Sequence, residues 1–254
     1  MAPTPYPDVN ALLDDLLTGV REILRDRLVG VYLDGSLALS SFEPDRSDVD
    51  LVVVTTGDLD LDTVRALAAL HARLAARHPR WGRELECSYI ARDALRHARR
   101  PGPHPHIERG DGGLELMHPE AGYWVLHRWV LREHGLALAG PAPAMLVDPV
   151  TSSALREAVA NVLREWWAPM LADPTRLRSW GYRAYAVLTM CRMLYTLEHG
   201  RIVSKAVAAG WAKSNLPRRW TPVIDQARAW SVETPADFDE TLALVRHTLE
   251  RSRG

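Results

Sequence analysis

Cysteine is almost absent from this chain: Cys87 and Cys191 are the only two. Each sits in an apolar run, so both are expected as buried thiols, and neither a disulfide framework nor a zinc-ligand spacing exists. Charge of one sign is also lacking. The chain has 31 basic and 32 acidic residues, a formal net charge of −1. That balance excludes the basic surplus of a nucleic-acid coat or a membrane-surface binder, although a local basic pocket for phosphates remains open. No run approaches the roughly 18 uninterrupted apolar residues that a membrane span requires. The N-terminus lacks the basic stretch and apolar segment of a secretory signal. A cytoplasmic, soluble protein is therefore expected, with no nucleic-acid or membrane partner. Lysine occurs only at Lys205 and Lys213, the other basic residues being arginine. No internal repeat or low-complexity tract is present. What remains is an ordinary globular composition over 254 residues, 47% hydrophobic and 25% charged, enough for one large domain or two of about 100–150 residues each.

Hydrophobic spacing divides the chain into two halves of different character. Residues 8–28 read as an amphipathic helix through Leu12, Leu13, Leu16, Leu17, Val20, Ile23, Leu24 and Leu28, with Gly30 ending it. Val31-Tyr32-Leu33 reads as a short buried strand, 37–42 as a helical turn and 43–47 as loop. Residues 49–55 are the clearest strand, crowded with β-branched side chains. A helix over 63–78 and a strand over 84–90 follow. This order of helices and strands is a small α/β unit, and 101–113 reads as an exposed loop after it. The rest is nearly all helix, over 119–134, 153–171, 181–199, 204–214, 217–230 and 236–252. Gly140-Pro141-Ala142-Pro143 and Asp148-Pro149 look like linker. The expected organisation is an α+β domain over 1–145 and an all-α domain over 150–254.

The segment that carries chemistry is Gly35-Ser36, followed after eleven residues by Asp48-Val49-Asp50. Glycine permits a tight turn whose N–H groups can approach an anion, and Ser36 adds a hydroxyl donor. Residues two apart on a strand share a face, so Asp48 and Asp50 project side by side. Two adjacent carboxylates repel unless a divalent cation lies between them. Hard oxygen donors of this kind suit Mg²⁺, which typically takes one or two protein carboxylates plus substrate phosphates. The alternative, that Asp48 caps a turn and Asp50 is simply exposed, fits poorly with the apolar strand that follows.

With its flanks, Leu33-Asp34-Gly35-Ser36 … Ser47-Asp48-Val49-Asp50-Leu51-Val52-Val53 resembles the signature of the DNA-polymerase-β-like nucleotidyltransferases. More narrowly, the chain resembles the aminoglycoside (3″)(9) O-nucleotidyltransferases, which adenylylate streptomycin and spectinomycin. Leu136-Ala137-Leu138-Ala139-Gly140-Pro141 with Asp148-Pro149-Val150 is similar to that family's interdomain segment. Leu188-Thr189-Met190-Cys191-Arg192-Met193-Leu194-Tyr195, Gly200-Arg201-Ile202-Val203-Ser204-Lys205 and Leu216-Pro217 are similar to its helical domain. The resemblance covers most of the chain.

It implies a nucleotidyltransferase domain with a small mixed sheet followed by a helical domain, with the active site in the cleft between them. It implies ATP as co-substrate, Mg²⁺ as cofactor, and an aminoglycoside or aminocyclitol hydroxyl as acceptor. Gly35, Ser36 and Ser47 then fall at the nucleotide, and Asp48 and Asp50 at the metal. Glu86 matches the family's general base, the alternatives being a third metal ligand or a structural acid, and Glu84 is expected to pair with an arginine. Arg192 is the only charge between Ala186 and Leu197. It is either a clamp on the triphosphate, suited to a guanidinium fork, or a buried salt bridge. Lys205 is either a second phosphate contact or a solvated lysine. Trp166-Trp167 and Trp180 fall where the family lines its drug pocket, so Trp167 is a candidate substrate contact beside the alternative of core packing. Tyr182 stands where the family has an acid. Gly113-Leu114-Glu115-Leu116 replaces an aromatic beside an acid, leaving Glu108, Asp111 and Glu115 as candidate carboxylates for a cationic drug. Transfer to another small molecule or to a protein hydroxyl, and a non-catalytic nucleotide-binding module, are the competing readings. A monomer is the default.

Overall fold

The computed structural model describes residues 2–97, 102–110, 113–118 and 122–253. It contains two compact units, Met1–Pro119 with His127–Pro149, and Glu120–Leu126 with Val150–Gly254. No helix among the described residues is long and apolar enough to cross a membrane.

The first unit is built on a six-stranded mixed sheet. In chain order its elements are α1 (Pro7–Leu24), β1 (Leu28–Leu33), α2 (Gly35–Ala38), β2 (Val49–Thr55), α3 (Leu61–Arg77), β3 (Leu85–Ala91), α4 (Arg92–Arg96), β4 (His104–Ile107) and β5 (Glu115–Met117). Then come α5 (Tyr123–His134), through which the division between the units runs, and β6 (Leu136–Ala139). The strand order is β5-β4-β3-β2-β1-β6. Only β2 and β3 are parallel; every other pair is antiparallel. The parallel pair is joined through α3, as a crossover connection requires.

Alternation along the strands assigns the two faces. Val31, Leu33, Val49, Leu51, Val53, Leu85, Cys87 and Tyr89 form one buried cluster with Val9, Leu12, Leu13 and Leu16 of α1 and Leu67, Leu70 and Leu74 of α3. Within it His71 Nε2 lies 2.8 Å from Tyr89 Oη, which satisfies two buried polar groups. The opposite face carries Asp50, Val52 and Val54 on β2 in register with Glu86, Ser88 and Ile90 on β3. The chemistry therefore stands on one face while the other anchors the sheet.

Several boundaries differ from the sequence reading. The first helix stops at Leu24, because Arg25 leaves helical space at φ 50° and Leu28 pairs with Thr55 as the start of β1. Leu28 fits a helical stripe and a strand equally well, and pairing decides. The segment 101–113, read as an exposed loop, contains β4, whose His104, Pro105 and Ile107 are buried. Pro103 and Pro105 hid a short strand that lies one place in from the sheet's edge, between β5 and β3.

The second unit is helical: α6 (Ser152–Val162), a π-helical turn over Leu163–Trp167, α7 (Pro169–Ala172), α8 (Trp180–His199), α9 (Lys205–Asn215), α10 (Thr221–Ala229) and α11 (Phe238–Arg251). The helix expected over 153–171 is thus broken. Ala168 N–H donates to Leu163 C=O at 2.8 Å, a widened turn directly before Pro169. Proline has no N–H, and its ring would clash with the carbonyl four residues back. α8 forms the core of this unit, burying Ala186, Val187, Met190 and Cys191 completely against its neighbours.

Candidate active site

The apolar strand β1 ends at Leu33, and the next three residues build a turn. Asp34, 1% exposed, donates its N–H to the Asp50 carbonyl at 3.0 Å, tying the end of β1 to β2. Gly35 has φ +55°, and a Cβ added there would lie 1.8 Å from Asp50 Oδ2. Both its conformation and its closeness to the carboxylate require glycine. The Ser36 Oγ is buried and finds no hydrogen-bond partner among the described residues. A buried hydroxyl left unpaired costs about 1–3 kcal/mol, and an incoming ligand oxygen would relieve that cost.

Asp48 immediately precedes β2, Asp50 is its second residue, and the parallel register sets Asp50 beside Glu86 of β3. One oxygen from each of the three carboxylates lies within 4.8 Å of the others. All three are half-buried, so water screens their repulsion only partly. Burial, and next the negative charge of Asp48, push the Glu86 carboxyl up to about 7; Glu108 adds to this, while Arg109 and His127 oppose it. Three hard oxygen donors at this spacing fit a divalent cation such as Mg²⁺.

The remaining expected site residues fall in different places. The Ser47 Oγ accepts the Glu43 N–H at 3.0 Å, closing the loop that leads into β2. Glu84 lies 3.9 Å from Arg109 Nη1, the arginine partner expected of it, and the same nitrogen is 3.7 Å from Asp48 Oδ2. Glu115 is exposed on β5, paired with His106. Glu108 is exposed, and its charge reaches Glu86. Asp111 lies outside the described residues.

The second unit holds the other candidates. Arg192 is half-buried on α8 and pairs with no carboxylate among the described residues of its own unit. Lys205 opens α9 behind the Ser204 cap, its Nζ 4.5 Å from the centre of the Tyr185 ring. Tyr182 is half-buried, with its ring 5.5 Å from that of Tyr185. Of the two readings of Trp167, its surroundings are those of core packing. It is 1% exposed, in the middle of the helical core, with its ring stacked at 6.1 Å on Tyr185. The large area of an indole is worth more inside than on an open wall, and the π-helical turn swings it there.

Three residues of the site were not singled out in the sequence. Asp34 stands inside the motif with no local pattern that assigns it a partner; its Oδ2 lies 2.8 Å from His127 Nδ1. Arg109 had no pattern to mark it. His127 did carry a signal. Trp124, His127, Arg128 and Leu131 share one face of α5, and the other three are buried. A histidine in such a stripe needs a partner.

Comparison with known proteins fits this geometry. A nucleotidyltransferase domain matches residues 14–95, and an aminoglycoside adenylyltransferase C-terminal domain matches residues 145–251. An aminoglycoside (3″)(9) adenylyltransferase from Shigella flexneri is 31% identical over 231 residues, 87% of this chain and 84% of its own length. A spectinomycin 9-adenylyltransferase from Campylobacter jejuni is 22% identical over 251 residues, 91% of this chain and 88% of its own. In fold, the chain is similar to a spectinomycin adenyltransferase from Enterococcus faecialis solved with ATP and spectinomycin. The TM-score is 0.73, at 16% identity, over 96% of this chain and 99% of that one. With the Gly35-Ser36 turn and the three carboxylates in place, the chain belongs to the aminoglycoside (3″)(9) adenylyltransferase family.

Proposed function

We propose that this protein transfers AMP from ATP to a hydroxyl of an aminoglycoside or aminocyclitol antibiotic and releases pyrophosphate, inactivating the drug. The observation that carries this reading is the set of three carboxylates, Asp48, Asp50 and Glu86, beside a turn whose Ser36 hydroxyl is buried and has no hydrogen-bond partner among the described residues. Asp48 and Asp50 would hold the divalent cation, which when bound would offset charge on the nucleotide's phosphates. The Gly35–Ser36 turn offers N–H groups and the Ser36 hydroxyl to phosphate oxygens. Glu86 takes the proton of the acceptor hydroxyl as that oxygen attacks the α-phosphorus; the bond from α-phosphorus to the bridging oxygen breaks, and pyrophosphate leaves with the electron pair. An alcohol needs such a base because it is a weak nucleophile while protonated. Arg192 and Lys205 are assigned to the triphosphate on the family resemblance.

The acceptor class rests on the relatives, and charge suits it. Aminoglycosides are polycations, and Glu108 is an exposed carboxylate close enough to Glu86 to act on its titration. Glu108 and Glu115 are both exposed carboxylates available to anchor an ammonium group of the acceptor. Tyr182 remains the aromatic candidate for the acceptor.

The test is the purified protein with ATP, Mg²⁺ and a panel that includes streptomycin and spectinomycin, read by mass spectrometry. One panel member should gain a single AMP. Adenylylation of a protein or an unrelated metabolite, with every antibiotic unmodified, would replace the acceptor assignment. Absence of any transfer would support a nucleotide-binding module.

A further inference from the structure

We propose that His127 is a positioning residue of the nucleotide site: by holding the Asp34 carboxylate it fixes the Gly35–Ser36 turn and, through it, Asp50. The inference rests on the reading of that turn and the carboxylate cluster as the nucleotide site.

An aspartate directly before a helical turn ordinarily caps it, accepting an N–H two or three residues on. Asp34 occupies that position before α2 and makes no such bond. Its carboxylate is turned instead toward another element, with Oδ2 2.8 Å from His127 Nδ1 of α5. Asp34 is 1% exposed, and its Oδ1 has no hydrogen-bond partner among the described residues. A carboxylate so enclosed keeps its place only while a partner compensates it, and His127 is the partner the structure supplies.

Asp34 cannot shift without moving the site. Its N–H donates to the Asp50 carbonyl at 3.0 Å, and its own carbonyl accepts the Ala38 N–H at 3.3 Å across the turn. The following residue, Gly35, lies so close to the Asp50 carboxylate that a single added carbon would overlap it. A displacement at Asp34 therefore passes to Gly35 and Asp50 with no slack between them. The imidazole rides on a firm support, because Trp124, Arg128 and Leu131 on the same helical face are buried. A ligand shell held from behind in this way is what keeps reacting groups within the narrow tolerance that catalysis needs.

The geometry separates two ways in which His127 could act. Through Asp34 it uses Nδ1, a donor that an asparagine amide nitrogen can replace in position. Acting on substrate it would use Nε2, which a glutamine amide mimics instead. The experiment measures ATP·Mg²⁺ affinity by calorimetry, the KM and kcat of adenylyl transfer, and thermal stability. The proteins are the wild type, H127A, H127N, H127Q, D34A and the H127A/D34A double variant. H127A is expected to lower kcat/KM for ATP·Mg²⁺ by roughly 10- to 100-fold, the range for a displacement of up to about 1 Å. H127N should restore most of it and H127Q should not. The double variant should be no worse than D34A alone, since both remove one contact.

If H127A does not fold, the comparison of H127N with H127Q decides alone. H127A with unchanged ATP affinity and kinetics, or with lowered stability only, overturns the proposal, as does rescue by H127Q but not by H127N. A wild type that binds no ATP overturns the nucleotide reading and this inference together. A wild type that binds ATP, beside His127 variants that bind it equally, overturns this inference alone.

Discussion

Replacing Gly35 with alanine should disable the site with little damage to the fold. The φ of +55° costs an alanine on the order of 1 kcal/mol. The added methyl would sit 1.8 Å from Asp50 Oδ2, whereas ordinary carbon–oxygen contacts begin near 3.4 Å, so one of the two must yield by roughly 1.6 Å. The turn cannot retreat easily, because Asp34 is hydrogen-bonded to the Asp50 carbonyl and to His127. A side chain turns at lower cost than a hydrogen-bonded backbone turn, so the Asp50 carboxylate swings out and the three-carboxylate cluster comes apart. A misplacement of about 1 Å can cost roughly 100-fold in rate, so G35A is expected to lose at least that much in kcat/KM and to need more Mg²⁺ for half-maximal activity. Total destabilisation of about 1–3 kcal/mol would lower the melting temperature by only about 2–12 °C. G57A is the control, because nothing lies within 4 Å of a Cβ added at Gly57. Steady-state kinetics over a Mg²⁺ titration and a thermal melt on both variants supply the data. G35A with activity within threefold of wild type would refute the claim that the turn and Asp50 are sterically interlocked.

Other expectations follow from the same geometry. E86Q should bind ATP·Mg²⁺ as the wild type does while kcat drops by roughly 10²–10⁴-fold, the range for loss of a general base; affinity falling together with rate would make Glu86 a metal ligand instead. EDTA, D48A or D50A should each abolish turnover, and calorimetry should show that D48A weakens ATP binding in Mg²⁺ buffer but not in EDTA. R192A should weaken ATP binding, and unchanged affinity would remove Arg192 from the triphosphate. The buried His71 has its pKa lowered to about 4 by desolvation. The folded state therefore takes up its proton later than the unfolded chain, whose value is 6.5, and stability is full above about 6.5 and lost as pH falls toward 4. By pH 5 that one residue accounts for on the order of 2 kcal/mol. Urea unfolding at pH 8 and pH 5 should show a smaller loss for H71Q than for wild type; equal losses would count against it.

The residues that sequence reading located best are those whose type is dictated by backbone chemistry. The Gly35 turn and the spacing of Asp48 and Asp50 were readable because conformational freedom and paired carboxylates leave a local pattern, and Val49 to Thr55 was readable because a β-branched run has one comfortable conformation. What escaped depends on contacts between distant segments. β4 escaped because Pro105 and its two histidines look like loop until pairing with β3 and β5 sets them in the sheet. Asp34 and His127 are 93 positions apart, and no local pattern links them. For Trp167 the sequence leaves substrate contact and core packing both open, and only the stacking with Tyr185 in the helical core shows which surroundings it has.

The central claim, attack on the α-phosphorus of ATP by a drug hydroxyl at this carboxylate cluster, is tested most directly by following label from ATP. With ATP labelled at the α-phosphorus, the wild-type enzyme should move the label onto the antibiotic, while label at the γ-phosphorus should appear only in pyrophosphate, and D50A should do neither. Label from the γ-phosphorus on the antibiotic, or α-label transferred equally by D50A, would contradict it.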